Sequence, residues 1–434
     1  MSLNVKKMVS LDNPLRLMYH KARAVIANMV YGYPSQKMTI VGITGTNGKT
    51  TTTNLVAKGL RDAGHKVFMF STINIIMGDD EIVNNTKMTS PDPFVIQKLL
   101  KEAKEKGCTI AVIETSSHSI LMNRNYGLNY DIAVLTNITQ DHLDLHKTME
   151  SYVETKLQLF KNLIIYKRKP GVKKVAIINN ESDYKDLFVA ETFDVLYTYG
   201  KSPSSTLKLE DVKYELEGTT FDIKTAGSKQ TIVTSLRGDF NIYNIMAAVG
   251  VFMAFGMKMD KIKEIVKSIK GVAGRMEEVK NDIGCKIFID YAHTSDALKQ
   301  VLNTAKQIEG VNRVITVFGA TGDRDRTKRP IMGKVVSDLS DIVILTQDDD
   351  YTEKTERIIK DVLPGIERKE GENFWIITDR KEAIRTALLT AEKNDVILIA
   401  GKGDEHKMLT NDGPIDWHDK DVVVELLGEM EGVK

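Results

Sequence analysis

Apolar residues fall along this chain in two recurring patterns. The first is a short, β-branched run bounded by polar residues, which predicts a strand buried on both faces, as in a parallel sheet. Ile40, Val41 and Ile43 form one such run, and Lys66–Thr72, Thr109–Glu114, Ile132–Thr136 and Val175–Asn179 form others. The second is helical spacing of apolar positions, which predicts helices over Thr51–Leu60, Phe94–Lys106 and Met149–Leu163. Strands alternating with helices point to an α/β domain. Between Tyr197 and Leu236, Gly, Ser and Pro punctuate alternating segments such as Thr219–Ile223 and Thr231–Thr234, predicting a small antiparallel meander. A helix carrying Asn241, Asn244, Met246, Ala247 and Val251 follows, and Gly271–Arg275 reads as an interdomain hinge.

After Met276 the alternation restarts. Strands are predicted at Lys286–Asp290, Arg313–Phe318, Ile342–Leu345, Trp375–Thr378 and Val396–Ala400. Helices are predicted at Asp296–Gln307, Arg329–Leu339, Glu356–Val362 and Lys381–Thr390. A second parallel sheet of this extent is its own domain. The expected division is an N-terminal helix and linker over 1–37, a central P-loop-type domain with a parallel sheet and the meander over 38–275, and a Rossmann-like α/β domain over 276–434. In the first segment Leu15, Leu17, Met18, Ala22, Val25, Ile26, Met29 and Val30 make a rough helical stripe that opens near Asn13-Pro14, where proline suits a first turn. Docking of that stripe on the body of the protein is expected; a membrane-surface helix is the alternative.

Composition narrows the class. The length of 434 residues suits two or three domains, and 42% hydrophobic with 27% charged residues is ordinary for a globular protein. A net charge of +1 gives no hint of nucleic acid or a membrane surface as partner. No apolar run reaches the length of a membrane span, and no secretory leader pattern opens the chain. Cys108 and Cys285 lie far apart without metal or redox spacing, so free thiols in a reducing cytoplasm are expected.

The candidate chemistry starts at Gly45-Thr46-Asn47-Gly48-Lys49-Thr50-Thr51, between a predicted strand and helix. Glycines let backbone N–H groups approach phosphate oxygens, and the helix N-terminus adds partial positive charge. Lys49 would reach the β- and γ-phosphates of ATP, and the Thr50 hydroxyl would coordinate Mg²⁺. The strict phosphate-loop pattern asks for glycine where Ile43 stands. In open α/β sheets ligands gather at the strand carboxyl ends, which places Glu114–His118 and Asn137–Asp144 at the same edge. Glu114 and His142 could hold a divalent cation there. Mg²⁺ prefers oxygen, so a histidine ligand suits Mn²⁺ or a second metal. Taken singly, Glu114 reads equally as a loop carboxylate, and His142 as a structural histidine. From composition alone Lys156 is a solvated surface lysine.

The ordered motifs Gly45–Thr51, Glu114-Thr-Ser-Ser-His118, Thr136-Asn-Ile-Thr-Gln-Asp-His-Leu-Asp144, Gly274-Arg-Met-Glu277, Asp290-Tyr-Ala-His-Thr294, Gly322-Asp-Arg-Asp325 with Lys328-Arg-Pro330, and Gly401-Lys-Gly403 strongly resemble the Mur ligases, most of all the MurE type. The resemblance runs from about Tyr31 to the C-terminus. It implies an ATP-dependent peptide ligase of cell-wall synthesis, in which a substrate carboxylate is phosphorylated and an amine attacks the acyl phosphate. It implies catalytic or metal roles for Lys49, Thr50, Glu114, His142 and Lys156, with Lys156 carbamylated. It also implies a nucleotide site including Asn241, Asn244, Arg275, Asp290, Tyr291 and His293. Thr89, Ser90, Ser117 and Arg124 would grip a muramoyl-peptide acceptor, and Arg324, Gly401 and Glu405 would lie at the incoming amino acid. A cytoplasmic monomer is expected.

Two departures from the family matter. Only 37 residues precede the phosphate-loop region, so the domain that holds uridine diphosphate in the MurE type is expected to be missing. Enzymes selecting diaminopimelate carry Asp-Asn-Pro-Arg, whereas here the stretch is Asp348-Asp349-Asp350-Tyr351, and the His of Gly-Lys-Gly-His-Glu is Asp404. Without the bidentate arginine, an amino acid ending in a free amine, lysine or ornithine, is expected over diaminopimelate, with the three Asp residues nearby. A solvated acidic loop is the plain alternative. Rival functions are a folylpolyglutamate synthetase-like ligase and a P-loop ATPase switch.

Overall fold

The computed structural model describes residues 13–84, 86, 88–215 and 218–432. Contacts divide the chain into two compact units. The first runs to Lys213 and includes Thr220–Thr234 and Phe240–Ile269; the second is formed by Lys270 onward with Tyr214–Thr219 and Ser235–Asp239.

The larger sheet is built from β1 (Thr39–Thr44), β2 (Val67–Phe70), β3 (Asn74–Met77), β4 (Asp80–Val83), β5 (Ile110–Glu114), β6 (Ile132–Leu135), β7 (Val175–Asn179), β8 (Val195–Gly200), β9 (Leu207–Glu215), β10 (Gly218–Lys224) and β11 (Lys229–Thr234). Its order is β11-β10-β9-β8-β7-β6-β1-β5-β2-β3-β4. β1 lies between β5 and β6, parallel to both, with Ile43 opposite Glu114 and Val134. Every residue of β2, β5, β6 and β7 is buried, as their unbroken apolar runs predict. Two features differ from the expectation. Val195–Gly200, where the meander was expected to open, is a further parallel strand on β7, and the strands after it continue the same sheet. β3 and β4 form an antiparallel edge that no run announces, because β4 is exposed throughout.

The N-terminal helix, Pro14–Val30, starts where Asn13 accepts a hydrogen bond from the Leu15 N–H. It docks, but not by its large apolar residues. Ala24, Ala27 and Asn28 are buried, while Leu15, Met18, Tyr19, Ile26, Met29 and Val30 are exposed. Small residues let it approach the body, with Arg23 paired to Asp92 at 2.8 Å and the Asn28 amide donating to the Tyr126 carbonyl at 3.1 Å.

The second unit carries β12 (Glu277–Val279), β13 (Lys286–Asp290), β14 (Val314–Phe318), β15 (Ile342–Leu345), β16 (Phe374–Ile376) and β17 (Val396–Ala400), in the order β12-β13-β17-β14-β15-β16. All neighbours are parallel except β12 against β13. A separate hairpin joins β18 (Lys407–Thr410) to β19 (Gly413–Asp416) and leads into the helix Asp419–Gly432. Ile287, Ile315, Val317, Ile344, Ile397, Ile399 and Leu426 belong to one buried cluster. The two cysteines are free and buried.

Candidate functional site

β1 ends at the glycine loop, and the helix Lys49–Asp62 begins directly after it. Gly48 has φ 79°, and a Cβ there would stand 2.2 Å from Asn244 Oδ1; at Gly45 one would stand 1.9 Å from Thr136 Oγ1. Only glycine therefore fits between the helix Asp239–Ala254 and the end of β6. Asn137 fastens the loop: its carbonyl accepts from the Thr46 N–H at 2.9 Å and its side chain from the Asn47 N–H at 2.8 Å. Asn244 also accepts from Thr52 Oγ1, in the helix after the loop, at 3.3 Å and donates to Asn241 at 3.4 Å. Lys49 Nζ turns back onto the carbonyls of Thr46 at 2.7 Å and Gly45 at 3.2 Å. Thr51 is buried in the first helical turn.

Glu114 is the last residue of β5 and is 1% exposed. It accepts from Thr50 Oγ1 at 3.0 and 3.1 Å, from the Thr72 N–H at 2.8 Å and from Thr72 Oγ1 at 3.1 Å. These donors are neutral, and among the described residues no ion pair to Glu114 is formed. A buried carboxylate beside a hydroxyl, at the mouth of a phosphate-loop fold, fits an oxygen-seeking divalent cation.

Lys156 corrects the reading from composition. It is buried in the helix Met149–Ile165, with Nζ 2.7 Å from the Gly45 carbonyl and 4.4 Å from the centre of the Tyr152 ring. Burial, reinforced by Lys49 and opposed by Asp141, holds its ammonium well below the ordinary lysine range. Tyr152 OH in turn lies 3.1 Å from Thr46 Oγ1. His142, half-buried in a left-handed conformation, has Nε2 3.3 Å from Asp141 Oδ2 and its ring edge-on to His118 at 4.8 Å. Burial holds it well below its usual value, Asp141 opposing and His118 and the two lysines adding. His146 Nε2 meets Ser117 Oγ at 3.0 Å, and burial with His118 and Lys156 nearby pushes it down to about 4.

The predicted acceptor residues adjoin this cluster. Thr72 Oγ1 lies 3.0 Å from Thr89 Oγ1, Ser90 Oγ donates to the Glu114 carbonyl at 3.2 Å, and Arg124 reaches the Ser90 carbonyl at 3.4 Å. Thr72 and Tyr152 carry no role in the sequence reading. Thr72 follows the apolar run of β2, and Tyr152 lies one turn before Lys156, so edge position and helical spacing were the available signals.

In the second unit Asp290 ends β13 and accepts from the Met276 and Ala292 N–H groups, both at 2.7 Å; burial raises its pKa, with Arg275 opposing. The Arg275 guanidinium stacks 4.3 Å from the Tyr291 ring, and His293 Nδ1 lies 2.8 Å from the Tyr291 carbonyl. Asp348, Asp349 and Asp350 are buried, which overturns the solvated-loop alternative. Asp349 is paired with buried Lys402 at 2.7 Å and accepts from the Leu409 N–H at 2.7 Å. Asp350 accepts from Thr355 Oγ1 at 2.8 Å and from Gln347, and burial raises its pKa. Asp348 accepts from the Asp349 N–H, while its Oδ2 has no partner. A Cβ on Gly401 would lie 2.4 Å from that oxygen. Lys402 also pairs with Glu405. Burial alone would lower the Lys402 pKa; Asp348, Glu405 and Asp349 instead hold it high. Exposed Arg324 stacks over Tyr351 at 5.1 Å.

Family models match both halves of the chain: the Mur ligase middle domain over residues 43–252, and "Mur ligase, glutamate ligase domain" over 274–403. UDP-N-acetylmuramoyl-L-alanyl-D-glutamate–2,6-diaminopimelate ligase of Clostridium botulinum is 40% identical over 412 residues, covering 94% of this chain and 82% of that protein. The chain belongs to the Mur ligase family. The Bacillus cereus ligase of the same name is 37% identical over 96% of this chain and 84% of its own length. A solved structure of such a diaminopimelate ligase superposes with TM-score 0.62 at 32% identity, covering 91% of this Mur ligase chain and 79% of that one. Folylpolyglutamate synthase of Mycobacterium tuberculosis shares the fold, at TM-score 0.71 and 16% identity over 88% of this chain and 92% of that one. Among the described residues no helix is long and apolar enough to cross a membrane.

Proposed function

We propose that this Mur ligase is of the MurE type and joins an amino acid to a muramoyl-dipeptide acceptor at the expense of ATP. The observation that carries the reading is the buried Glu114–Thr50 contact, with Lys49 and Lys156 both turned onto the carbonyls of the same glycine loop. Phosphoryl transfer asks for positioning and charge neutralisation more than for a protein nucleophile. In the first step an acceptor carboxylate oxygen bonds to the γ-phosphorus of ATP and the bond to the ADP oxygen breaks. In the second the amine nitrogen bonds to the acyl carbon, phosphate leaves with the C–O electron pair, and the amine gives up a proton.

The glycine loop and Lys49 bind the phosphates. Thr50 and Glu114, with His142 and a carbamylated Lys156, would hold Mg²⁺, which neutralises phosphate charge when bound. Thr89, Ser90, Ser117 and Arg124 would position the acceptor. Arg324 would hold the α-carboxylate of the incoming amino acid. The relatives' names point to peptidoglycan precursor synthesis.

The test is phosphate release from the purified protein with acceptor and amino acid supplied singly and together, and with product masses recorded. The reading requires ADP and phosphate only when both are present, and a product heavier by one aminoacyl residue. Steady hydrolysis of ATP alone would instead mark a P-loop switch. Acceptors with and without uridine diphosphate form separate arms.

A further inference from the structure

Asp404 stands where the resemblance expects histidine, and the structure gives that exchange a context. The hairpin β18–β19 is closed at its base by the Trp417 N–H donating to the His406 carbonyl at 3.1 Å. That closure sets the residues entering β18 beside those leaving β19. Asp404, His406 and His418 each offer one ligand atom there, all within 4.8 Å of one another; among the described residues it is the one such convergence of three His, Cys, Asp or Glu side chains. The two imidazole rings stack, with centroids 4.3 Å apart and planes 26° from parallel. His418 Nε2 lies 3.3 Å from Asp404 Oδ1, and its other ring nitrogen, Nδ1, lies 3.0 Å from Asp421 Oδ2.

We propose that Asp404, His406 and His418 form a site for a transition-type divalent cation of the Zn²⁺ class, with Asp421 as the positioning residue for His418. Two imidazoles and a carboxylate select Zn²⁺, Co²⁺ or Ni²⁺ over Mg²⁺, so this site differs in chemistry from the one at Glu114. His418 Nδ1 makes no hydrogen bond in this geometry, and a small turn of the ring would let the Asp421 carboxylate 3.0 Å away accept its proton, fix the tautomer and turn the lone pair of Nε2 toward the ion, as metal-binding histidines commonly do. The Asp404 backbone is itself held firmly: a Cβ on Gly274 would lie 2.1 Å from the Asp404 nitrogen. Metal bonds of about 2.0–2.1 Å bring tetrahedral ligand atoms to about 3.4 Å, so exposed His406 would close in by on the order of 1 Å. The bound ion would tie the loop holding Lys402 and Glu405 to the start of the helix Asp419–Gly432. The competing account is a plain ion pair, in which His418 bridges Asp404 and Asp421 and His406 takes no part.

The experiment uses the full chain, stripped with a chelator, dialysed into excess Mg²⁺ and titrated with Zn²⁺ alone. One Zn²⁺ per chain, undisplaced by Mg²⁺ and raising the thermal midpoint, is expected. His406→Ala, at an exposed position that folding tolerates, should weaken it at least tenfold, and Asp421→Asn by about 10–100-fold. Co²⁺ should give a tetrahedral visible spectrum that His406→Ala removes. No Zn²⁺ uptake in the presence of Mg²⁺, or uptake and Co²⁺ spectrum unchanged in His406→Ala, would overturn the proposal.

Discussion

Lys156 Nζ and the Gly45 carbonyl oxygen are 2.7 Å apart, although 111 residues separate them in the chain. The contact carries a lysine through the protein interior to the phosphate loop. Burial and nearby Lys49 favour its neutral amine, the form that attacks carbon dioxide to give a carbamate. Lys156→Ala should be nearly inactive, with partial recovery in acetate, and the wild-type protein should show the added mass of one carbon dioxide in bicarbonate under native conditions. Full activity of the variant without bicarbonate would leave Lys156 a structural residue.

Lys49 is the cation that begins the helix after the loop, and its ammonium donates to the carbonyls of Gly45 and Thr46. Lys49→Ala should cost about 3 kcal/mol or more of transition-state stabilisation, a loss of roughly 10²-fold or greater in kcat. Near-normal turnover would remove the loop from the mechanism.

Acid should destabilise the protein through its buried histidines. His146 falls to about 4 in the folded state, against about 6.5 in an unfolded chain. Between these values the unfolded chain binds a proton that the native state does not, so stability falls as pH falls through this window and is fully present above it. The stability lost as pH falls across the whole window is at most about 3 kcal/mol. Urea midpoints at pH 7, 6 and 5 should decline, and less steeply in His146→Gln; equal slopes would show that His146 does not carry the effect.

Strands buried on both faces were legible in the sequence because burial leaves them uniformly apolar. β5 and β6 appear within a residue of where the runs Thr109–Glu114 and Ile132–Thr136 put them. The hairpin β18–β19 and the strand β12 are short and mixed in polarity, and their pairing depends on distant partners. The same limit applies to charges. Nothing local marks Lys156 as buried, because the loop it touches lies far off in sequence. Nor does anything local show that Asp349 already has a cation in Lys402, 53 residues away. The large apolar residues of the first helix misled for another reason: tight docking there selects the small Ala24 and Ala27.

The choice of amino acid is expected to turn on Asp348, Asp350, Tyr351 and Arg324. Asp349 is engaged by Lys402, and Asp350 Oδ2 by Thr355 and Gln347, which leaves two buried acceptor oxygens without a partner, Asp348 Oδ2 and Asp350 Oδ1. A distal ammonium would satisfy either oxygen, and lysine, ornithine and diaminopimelate all carry one. They differ in the distal carboxylate of diaminopimelate. The resemblance pairs that carboxylate with an arginine where Tyr351 stands here, and Tyr351 instead offers its ring to Arg324. Desolvating a carboxylate beside buried aspartates, without a fork of donors, costs several kcal/mol. The similar proteins are named for diaminopimelate, so the two considerations oppose each other and a competition assay decides between them. Lysine or ornithine is expected to be used in preference, with Tyr351→Arg shifting use toward diaminopimelate and Asp348→Asn weakening all three. A clear preference for diaminopimelate in the unmodified protein, insensitive to both substitutions, would show that a donor other than residue 351 reads the distal carboxylate and that Asp348 serves the fold alone.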